Sequence, residues 1–217
     1  MDLFSGFLNL VLHLDEHLLL LVRNYGIWVY GILFAIIFLE TGVVFTPFLP
    51  GDSLLFVAGT LAAAGELNVH AFVVLLICAA ILGDSVNFSI GRFLGPRLFR
   101  SGNSRFLKQE YLDRTHQYFE RHGGKTIVIA RFVPIIRTYA PFVAGLGQMD
   151  YRRFLAFNVS GAILWVGSLG YAGYFFGNLA FVRDNLTLVI LGIILLSISP
   201  GIFELWRNRR SAGARSG

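Results

Sequence analysis

The sequence predicts an all-α integral membrane protein, a polytopic helical bundle with two inverted repeats, each a re-entrant segment plus a transmembrane helix. Three observations predict this class. The chain of 217 residues is 55% hydrophobic and 14% charged, whereas soluble domains carry about 25% charged residues. Several apolar stretches approach or exceed the roughly 20 residues that a helix needs to cross a bilayer. Short motifs also recur in the two halves of the chain.

The first two segments are predicted to be helices. Apolar residues recur at helical spacing between Leu3 and Leu21, which predicts an amphipathic helix over 2–22 lying at the membrane surface. A cleavable signal peptide is not expected there, because the segment lacks a basic n-region. Residues 26–46 are apolar apart from Glu40 and Thr41 and predict the first transmembrane helix.

Residues 47–64 are predicted to be a re-entrant segment. Two prolines and a glycine interrupt the chain at 47–51, and the apolar piece that follows is about half a span long. Broken backbone is tolerated at membrane depth only when it is buried in protein or lines a cavity. Residues 70–95 then predict a second transmembrane helix ending at Gly95-Pro96, followed by a polar cytoplasmic loop over 97–125 with a surface helix around 104–122.

The second half of the chain repeats this order within the same single domain, 1–217. Residues 126–148 contain Pro134 and Pro141 and predict a second re-entrant segment. Residues 151–177 and 185–206 predict the last two transmembrane helices.

Three short motifs recur in the same order, which predicts an internal repeat. The last two share an offset of 82 residues, and the loop at 60–69 absorbs the different offset of the first. One transmembrane crossing separates the two re-entrant segments, so the repeat is expected to be inverted, as in many secondary transporters. The matching pairs are Phe56–Gly59 with Phe142–Gly145, Ala80–Leu82 with Ala162–Leu164, and Gly91–Gly95 with Gly173–Gly177.

Basic residues predict the orientation, because cytoplasmic loops are enriched in Lys and Arg. In this topology Arg183 alone lies on one side. The other side, which is therefore cytoplasmic and holds both termini, receives Arg23, Arg97, Arg100, Arg105, Lys108, Arg114, Arg121, Lys125, Arg152, Arg153, Arg207, Arg209, Arg210 and Arg215.

Six charged residues fall at membrane depth, where each costs at least ~2.5–3.5 kcal/mol. They are expected to face an interior cavity and to compensate one another. The six are Glu40, Asp52, Asp84, Arg92, Arg131 and Arg137.

Two hypotheses address these charges. Structural ion pairing is favoured for Asp84 and Arg92, and Arg92 has the alternative of reaching the cytoplasmic interface. In the functional hypothesis, Glu40 and Asp52 carry protons, because a carboxyl group in an apolar setting is easier to protonate. Arg131 and Arg137 stay charged and offer planar forks of donors that suit a phosphate. The alternative that these two arginines only neutralise Glu40 and Asp52 remains open.

Other polar residues are expected either to line the cavity or, as the favoured alternative, to make capping and helix–helix hydrogen bonds. No metal site, cofactor or nucleic-acid partner is predicted. The histidines lie in interfacial or loop segments, and the single cysteine, Cys78, is expected to be a buried thiol. The polar residues are Thr46, Ser53, Asn87, Thr138 and Asn158.

The sequence resembles the DedA family of bacterial inner-membrane proteins over almost its whole length. The resemblance implies a relationship to eukaryotic VTT-domain proteins that move lipids between leaflets. It also implies roles in envelope integrity, cell division and resistance to cationic peptides, dependence on the proton-motive force, and recycling of undecaprenyl phosphate. The family's essential charged residues match Glu40, Asp52, Arg131 and Arg137 here. The motifs that carry the resemblance are Glu40–Gly42, Pro47–Ser53, Gly91-Arg92, and Ala130–Arg137 through Pro141 and Gly145.

The leading hypothesis is therefore a transporter in the bacterial inner membrane. It moves a lipid phosphate head group, of undecaprenyl phosphate or a phospholipid, between leaflets with proton coupling. The alternatives are an energy-independent phospholipid scramblase and a proton-coupled small-solute or cation antiporter. An enzyme is disfavoured, because the predicted membrane core holds no histidine and its acids lie opposite arginines. A homo-oligomer is compatible with the sequence.

The segregation of basic residues predicts that the C-terminus is cytoplasmic. Alkaline phosphatase fused after Gly217 should therefore be inactive in a Gram-negative host, because this reporter folds only outside the cytoplasm. A fully active fusion would mean that the number of predicted crossings is wrong by one.

Overall fold

The computed structural model describes residues 14–43, 51–100, 124–186, 188–193 and 195, and the regular elements within these ranges are helical. Residues 188–193 are helical and fall within the segment predicted as the last transmembrane helix. The surface helix predicted around 104–122 lies outside the described residues. In chain order the helices are α1 Leu14–Tyr25, α2 Trp28–Gly42, α3 Gly51–Ala63, α4 Val69–Arg100, α5 Lys125–Ala130, α6 Pro134–Leu146, α7 Tyr151–Phe176 and α8 Ala180–Asp184.

Within these ranges, two helices are long and apolar enough to cross a membrane, namely Val69–Leu94 within α4 and the whole of α7. They coincide with the spans predicted at 70–95 and 151–177. Helices α2, α3 and α6 have only 13 to 15 residues, or about 20 Å of helix. This length is shorter than the hydrocarbon core of a bilayer, which is about 30 Å thick. The architecture therefore combines long apolar helices with short ones.

The short helices pack on the long helices in a reciprocal manner. Helix α3 packs along α7, and α6 packs along α4. Glycines allow these contacts, because Gly59 lies against the backbone of Gly173 and Gly145 lies against the backbone of Phe88. Gly59 and Gly145 are the last residues of the repeated tetrapeptide. Helices α3 and α6 thus each pack on the long helix from the other half of the chain, whereas α2 packs on α4 from its own half.

The apolar core is divided into two clusters by polar residues on α4 and α7. On α4, Ala80 belongs to the larger cluster and Phe88 to the smaller one, with Asp84 between them. On α7, Phe154 and Ala162 belong to different clusters in the same way, with Asn158 between them. Residues four apart share one face of a helix. The polar residues therefore lie at the boundary between two apolar regions.

Two predicted helix boundaries were wrong. The helix predicted over 26–46 ends at Gly42, because Val43 is extended (φ −104°, ψ 121°). The helix predicted to end at Gly95-Pro96 continues to Arg100. A proline removes its own N–H donor, but membrane helices tolerate it when neighbouring groups satisfy the freed carbonyl.

Two further expectations differ from the structure. The surface helix predicted over 2–22 is described only from Leu14. It continues to Tyr25 and buries Leu18 and Val22 in the protein core. Part of its apolar face therefore packs on protein, so the prediction of a helix lying only at the membrane surface was incomplete. Cys78 is exposed on α4 rather than buried.

The reciprocal packing predicts that substitutions at the close-approach glycines destabilise the protein. A Cβ atom at Gly145 would overlap the backbone of Phe88, and one at Gly91 would overlap the backbone of Phe142. We expect Gly91→Ala and Gly145→Ala each to cost about 1–3 kcal/mol, because a backbone must move. The melting temperature of the purified protein in detergent measures this cost.

The matched control is Gly167→Ala, because Gly167 lies in α7 and a Cβ atom added there would have no neighbour within 4 Å. Alanine favours a helix over glycine, so this variant should be as stable as the parent or slightly more stable. Equal melting temperatures for all three variants would contradict the close packing.

Candidate functional site

Several of the buried charged residues lie at the ends of helices. Pro134 starts α6 and holds Val133 in an extended conformation (φ −121°, ψ 106°), because a proline disfavours helix at the residue before it. Arg131 directly follows α5, and Arg137 lies in the first turn of α6. Asp52 likewise lies in the first turn of α3. These three side chains therefore project from helix ends rather than from the middle of a long span.

The charged side chains converge in the interior. The exposed fraction is 0% for the side chain of Glu40, 2% for Asp84 and Arg131, and 3% for Arg137. Asp52 is the most accessible of the five, at 15%. Buried charges are stable only when they are paired and hydrogen-bonded. Their partners therefore decide what this site can do.

Arg137 binds two carboxylates at once. Its Nη2 donates to Glu40 Oε1, and its Nη1 donates to Asp52 Oδ1 at 2.8 Å. The Glu40 carboxylate also lies directly against Gly51, where any side chain would overlap it. We call Glu40, Asp52 and Arg137 the Arg137 cluster. It joins α2, α3 and α6 through one guanidinium.

Trp165 on α7 closes the Arg137 cluster from a fourth helix. Its Nε1–H donates to Asp52 Oδ1 at 2.8 Å. The Arg137 guanidinium carbon lies 4.4 Å from the centre of the indole ring, and the Arg131 guanidinium carbon lies 5.7 Å away. Both distances fall within the range of cation–π attraction. Trp165 is 1% exposed, so its ring is buried beside both guanidiniums.

Arg131 belongs to a separate group, which we call the Arg131 cluster. Its Nη2 donates to Asp84 Oδ2 on α4 and to Asn158 Oδ1 on α7. The Asn158 amide in turn donates to the Ile81 carbonyl at 3.1 Å. Arg131 Nε and Nη1 have no hydrogen-bond partner among the described residues. The guanidinium is therefore anchored through one nitrogen, while two others remain available to a ligand or water.

Asn87 ties the broken segments together. Its side-chain amide donates to the carbonyls of Thr41 at 3.1 Å and Thr138 at 2.8 Å. These carbonyls lie near the end of α2 and in the first turns of α6. Asn87 therefore links the two elements that hold Glu40 and Arg137. Asn87 and Asn158 both make the helix–helix hydrogen bonds that were the favoured prediction for these polar residues.

The two clusters together contain three carboxylates and two guanidiniums. If all five groups are ionised, these five described side chains together carry a net charge of −1. The Arg131 cluster is balanced, with one charge of each sign, so the excess lies with Glu40 and Asp52 around Arg137. One proton bound to either carboxyl group would make the Arg137 cluster neutral.

The structure brings most of the predicted site residues together. Glu40, Asp52 and Arg137 are in direct contact, whereas Arg131 pairs with Asp84 rather than with the first two acids. Ser53 and Thr138 are buried beside Asp52 and Arg137 in sequence. Thr46 lies outside the described residues. Arg92 is exposed on α4, so the expectation that all six charges face the interior was wrong for this residue.

Trp165 was missed in the sequence analysis. The sequence did contain one indication of its role: a tryptophan buried in a helical bundle usually needs a hydrogen-bond acceptor for its indole N–H. Trp165 lies seven residues after Asn158, which places both on one helical face. Its acceptor, Asp52, is 113 residues away in the chain, and no local pattern identifies that pairing. Within the described ranges, no three His, Cys, Asp or Glu side chains converge on a possible metal position.

Comparison with known proteins identifies the family. The VTT domain model matches residues 49–175, from the start of α3 almost to the end of α7. Protein DedA of Escherichia coli (strain K12) is 59% identical over 214 residues, which cover 98% of each chain. Inner membrane protein YqjA of the same organism is 36% identical over 187 residues, covering 83% of this chain and 85% of the relative.

A third relative is an uncharacterized membrane protein of Mycobacterium leprae (strain TN), which is 47% identical over 176 residues. The match covers 81% of this chain and 79% of the relative. No solved structure matches the chain. The family resemblance found in the Glu40, Asp52 and Arg131–Arg137 motifs is thus confirmed by the domain match and by similarity over nearly the full length. The chain belongs to the DedA family of VTT-domain proteins.

Proposed function

We propose that this protein moves a lipid phosphate head group, of a polyprenyl phosphate such as undecaprenyl phosphate or of a phospholipid, between the leaflets of the bacterial inner membrane. Proton binding to Glu40 or Asp52 drives the exchange. The observation that carries the proposal is the binding of one buried guanidinium by two carboxylates. The names of the relatives support the inner membrane as the location.

The Arg137 cluster suits an exchange of anions. A carboxylate and a phosphate both offer planar pairs of oxygens to the donors of a guanidinium. When one carboxyl group is protonated, it loses its charge and its attraction to Arg137 weakens. Arg137 then has a donor for a phosphate oxygen, and the cluster remains close to neutral. Uptake of a proton and uptake of an anionic head group are therefore linked in the same three residues.

Arg131 provides a fixed guanidinium beside this exchange, because Asp84 remains its counter-ion. Asp84 and Asn158 hold one nitrogen of Arg131, and its Nε and Nη1 remain without hydrogen-bond partners among the described residues. A phosphate next to Trp165 could accept hydrogen bonds from these nitrogens while Arg131 keeps its counter-ion. Arg137 is then the arginine that changes partners, and Arg131 is the one that does not.

Alternating access fits the reciprocal packing of the short helices. We propose that 47–64 and 126–148 are re-entrant segments of an inverted repeat. The packing of α3 on α7 and of α6 on α4 supports this arrangement. In this topology both termini are cytoplasmic. The lipids and protons reach the site where the two broken segments meet, at Asp52 and Arg137, without a cofactor or a metal.

The excess of carboxylates would also suit a cation antiporter, and a passive scramblase would need no proton. Neither alternative requires the combination of a shared guanidinium and a second buried arginine. Liposomes that contain the purified protein separate these functions. Labelled phospholipid and polyprenyl phosphate would be followed across the bilayer with and without a pH gradient.

Removal of either titratable group around Arg137 should uncouple transport. We expect Glu40→Gln and Asp52→Asn each to insert normally but to lower the gradient-driven rate of lipid translocation at least about tenfold, because the neutral amide cannot bind and release a proton. The initial rate of leaflet exchange in liposomes measures this effect.

The control is Glu66→Gln, which changes an exposed acid between α3 and α4 and should keep the parental rate. A gradient-dependent rate that is unaffected in both Glu40→Gln and Asp52→Asn would refute proton coupling at these residues. A rate that is equal with and without the gradient in the parent would instead favour a scramblase.

Disruption of the Arg131 cluster should lower the stability of the protein. Asp84→Asn keeps the shape of the side chain but leaves the Arg131 guanidinium buried without a counter-charge. Breaking such a pair costs about 3–5 kcal/mol, so we expect a clearly lower melting temperature in detergent. Glu66→Gln again provides the control. A melting temperature equal to that of the parent would show that Asp84 is not the essential counter-ion of Arg131.

A further inference from the structure

We propose that the Asp52 carboxylate occupies the binding position of the head-group phosphate, and that the indole N–H of Trp165 becomes a ligand of the phosphate once Asp52 leaves. This inference rests on the proposed function and extends it. It assigns a binding role to Trp165 and describes Asp52 as an internal competitor of the lipid. The shared chemistry of the ligand is an anionic phosphate ester on an apolar tail.

Two donors converge on one oxygen position. Arg137 Nη1 and Trp165 Nε1 both lie 2.8 Å from Asp52 Oδ1. They come from different helices, α6 and α7, and both are held in the interior by burial. Such a pair of N–H donors suits any anionic oxygen and does not depend on the carboxylate itself. Without Asp52, the same two donors would form a preorganised site for one phosphate oxygen.

Asp52 is the acid best placed to leave. It has the most exposed side chain of the five charged residues. It lies in the first turn of α3. Glu40 is completely buried, and its carboxylate is confined by Gly51. A head group that enters the site therefore meets Asp52 before it meets Glu40.

The indole ring adds a reason for a role in binding. The ring of Trp165 lies against the Arg137 guanidinium at 4.4 Å. This contact keeps Arg137 next to the indole N–H even when Asp52 has moved, because cation–π attraction does not involve the carboxylate. If Trp165 only held Asp52 in place, its N–H group would have no further role once Asp52 had left. The two roles make different predictions once Asp52 is absent.

The experiment measures the affinity of the full-length protein in detergent for two probes at neutral pH. The first is farnesyl phosphate and the second is dioctanoyl phosphatidic acid, so that a polyprenyl source and a phospholipid source of the phosphate are distinguished. Farnesol is the uncharged control. The variants are Asp52→Ala, Trp165→Phe and the combination of both. Trp28→Phe serves as the matched control, because Trp28 is 74% exposed.

We expect Asp52→Ala to bind at least one phosphate probe about tenfold more tightly than the parent, because the competing carboxylate is gone. Adding Trp165→Phe to Asp52→Ala should weaken that binding about tenfold, which corresponds to one hydrogen bond to a charged group. Trp28→Phe should leave the affinity unchanged. If Trp165→Phe does not fold, β-(3-benzothienyl)alanine introduced at position 165 keeps the size of the ring and removes only the N–H donor.

Three outcomes would overturn the inference. Unchanged affinity on removal of the N–H in the Asp52→Ala background would mean that Trp165 only positions Asp52. Weaker binding by Asp52→Ala than by the parent would mean that Asp52 assists the ligand rather than competing with it. In both cases the proposed function survives if the parent binds the phosphate probes. If neither the parent nor any variant binds them more tightly than farnesol, the proposed function fails as well.

Discussion

Arg137 places the strongest constraint on this structure, because a permanently charged guanidinium in the protein interior needs fixed partners. Glu40 and Asp52 supply them from α2 and α3, and Trp165 covers the face of the guanidinium from α7. Arg137 itself comes from α6, so one side chain holds four helices in register. A displacement of any of these helices would leave a buried charge with fewer partners, which is costly at low dielectric.

The same constraint explains why the helices are interrupted. A continuous helix presents its side chains around a long cylinder, whereas several helices that start or end in the protein interior can direct their side chains toward one point. Asp52 and Arg137 both lie in the first turn of a short helix, and Arg131 follows the end of another. Asn87 joins α2 and α6, because its side-chain amide donates to the carbonyl of Thr41 near the end of α2 and to that of Thr138 within α6. Broken backbone and buried charge are therefore stabilised together.

Uneven charge pairing gives the two clusters different roles in the proposed cycle. Arg131 has one carboxylate and an amide, and is balanced. Arg137 has two carboxylates, and one of these is partly exposed. A balanced buried pair contributes to the specificity of packing and changes little during function. An unbalanced cluster with an accessible acid can accept a proton or exchange a carboxylate for another anion. Trp165 contacts both guanidiniums and so couples the fixed cluster to the exchangeable one.

The sequence by itself determined the long apolar helices, the break at Pro134, the repeated motifs and the presence of acids and arginines within apolar segments. These are local properties of composition, periodicity and proline stereochemistry. Helix ends were less well predicted, since Gly42 ends α2 and Pro96 does not end α4. The pairing of charges was decided only by the tertiary structure: Arg131 lies six residues from Arg137, yet it faces Asp84, while Arg137 faces two acids 85 and 97 residues away. Arg92 faces outward, and Trp165 joins the site. The reason is that ion pairing depends on which helix faces meet across the reciprocal packing, and no pattern within one segment contains that information.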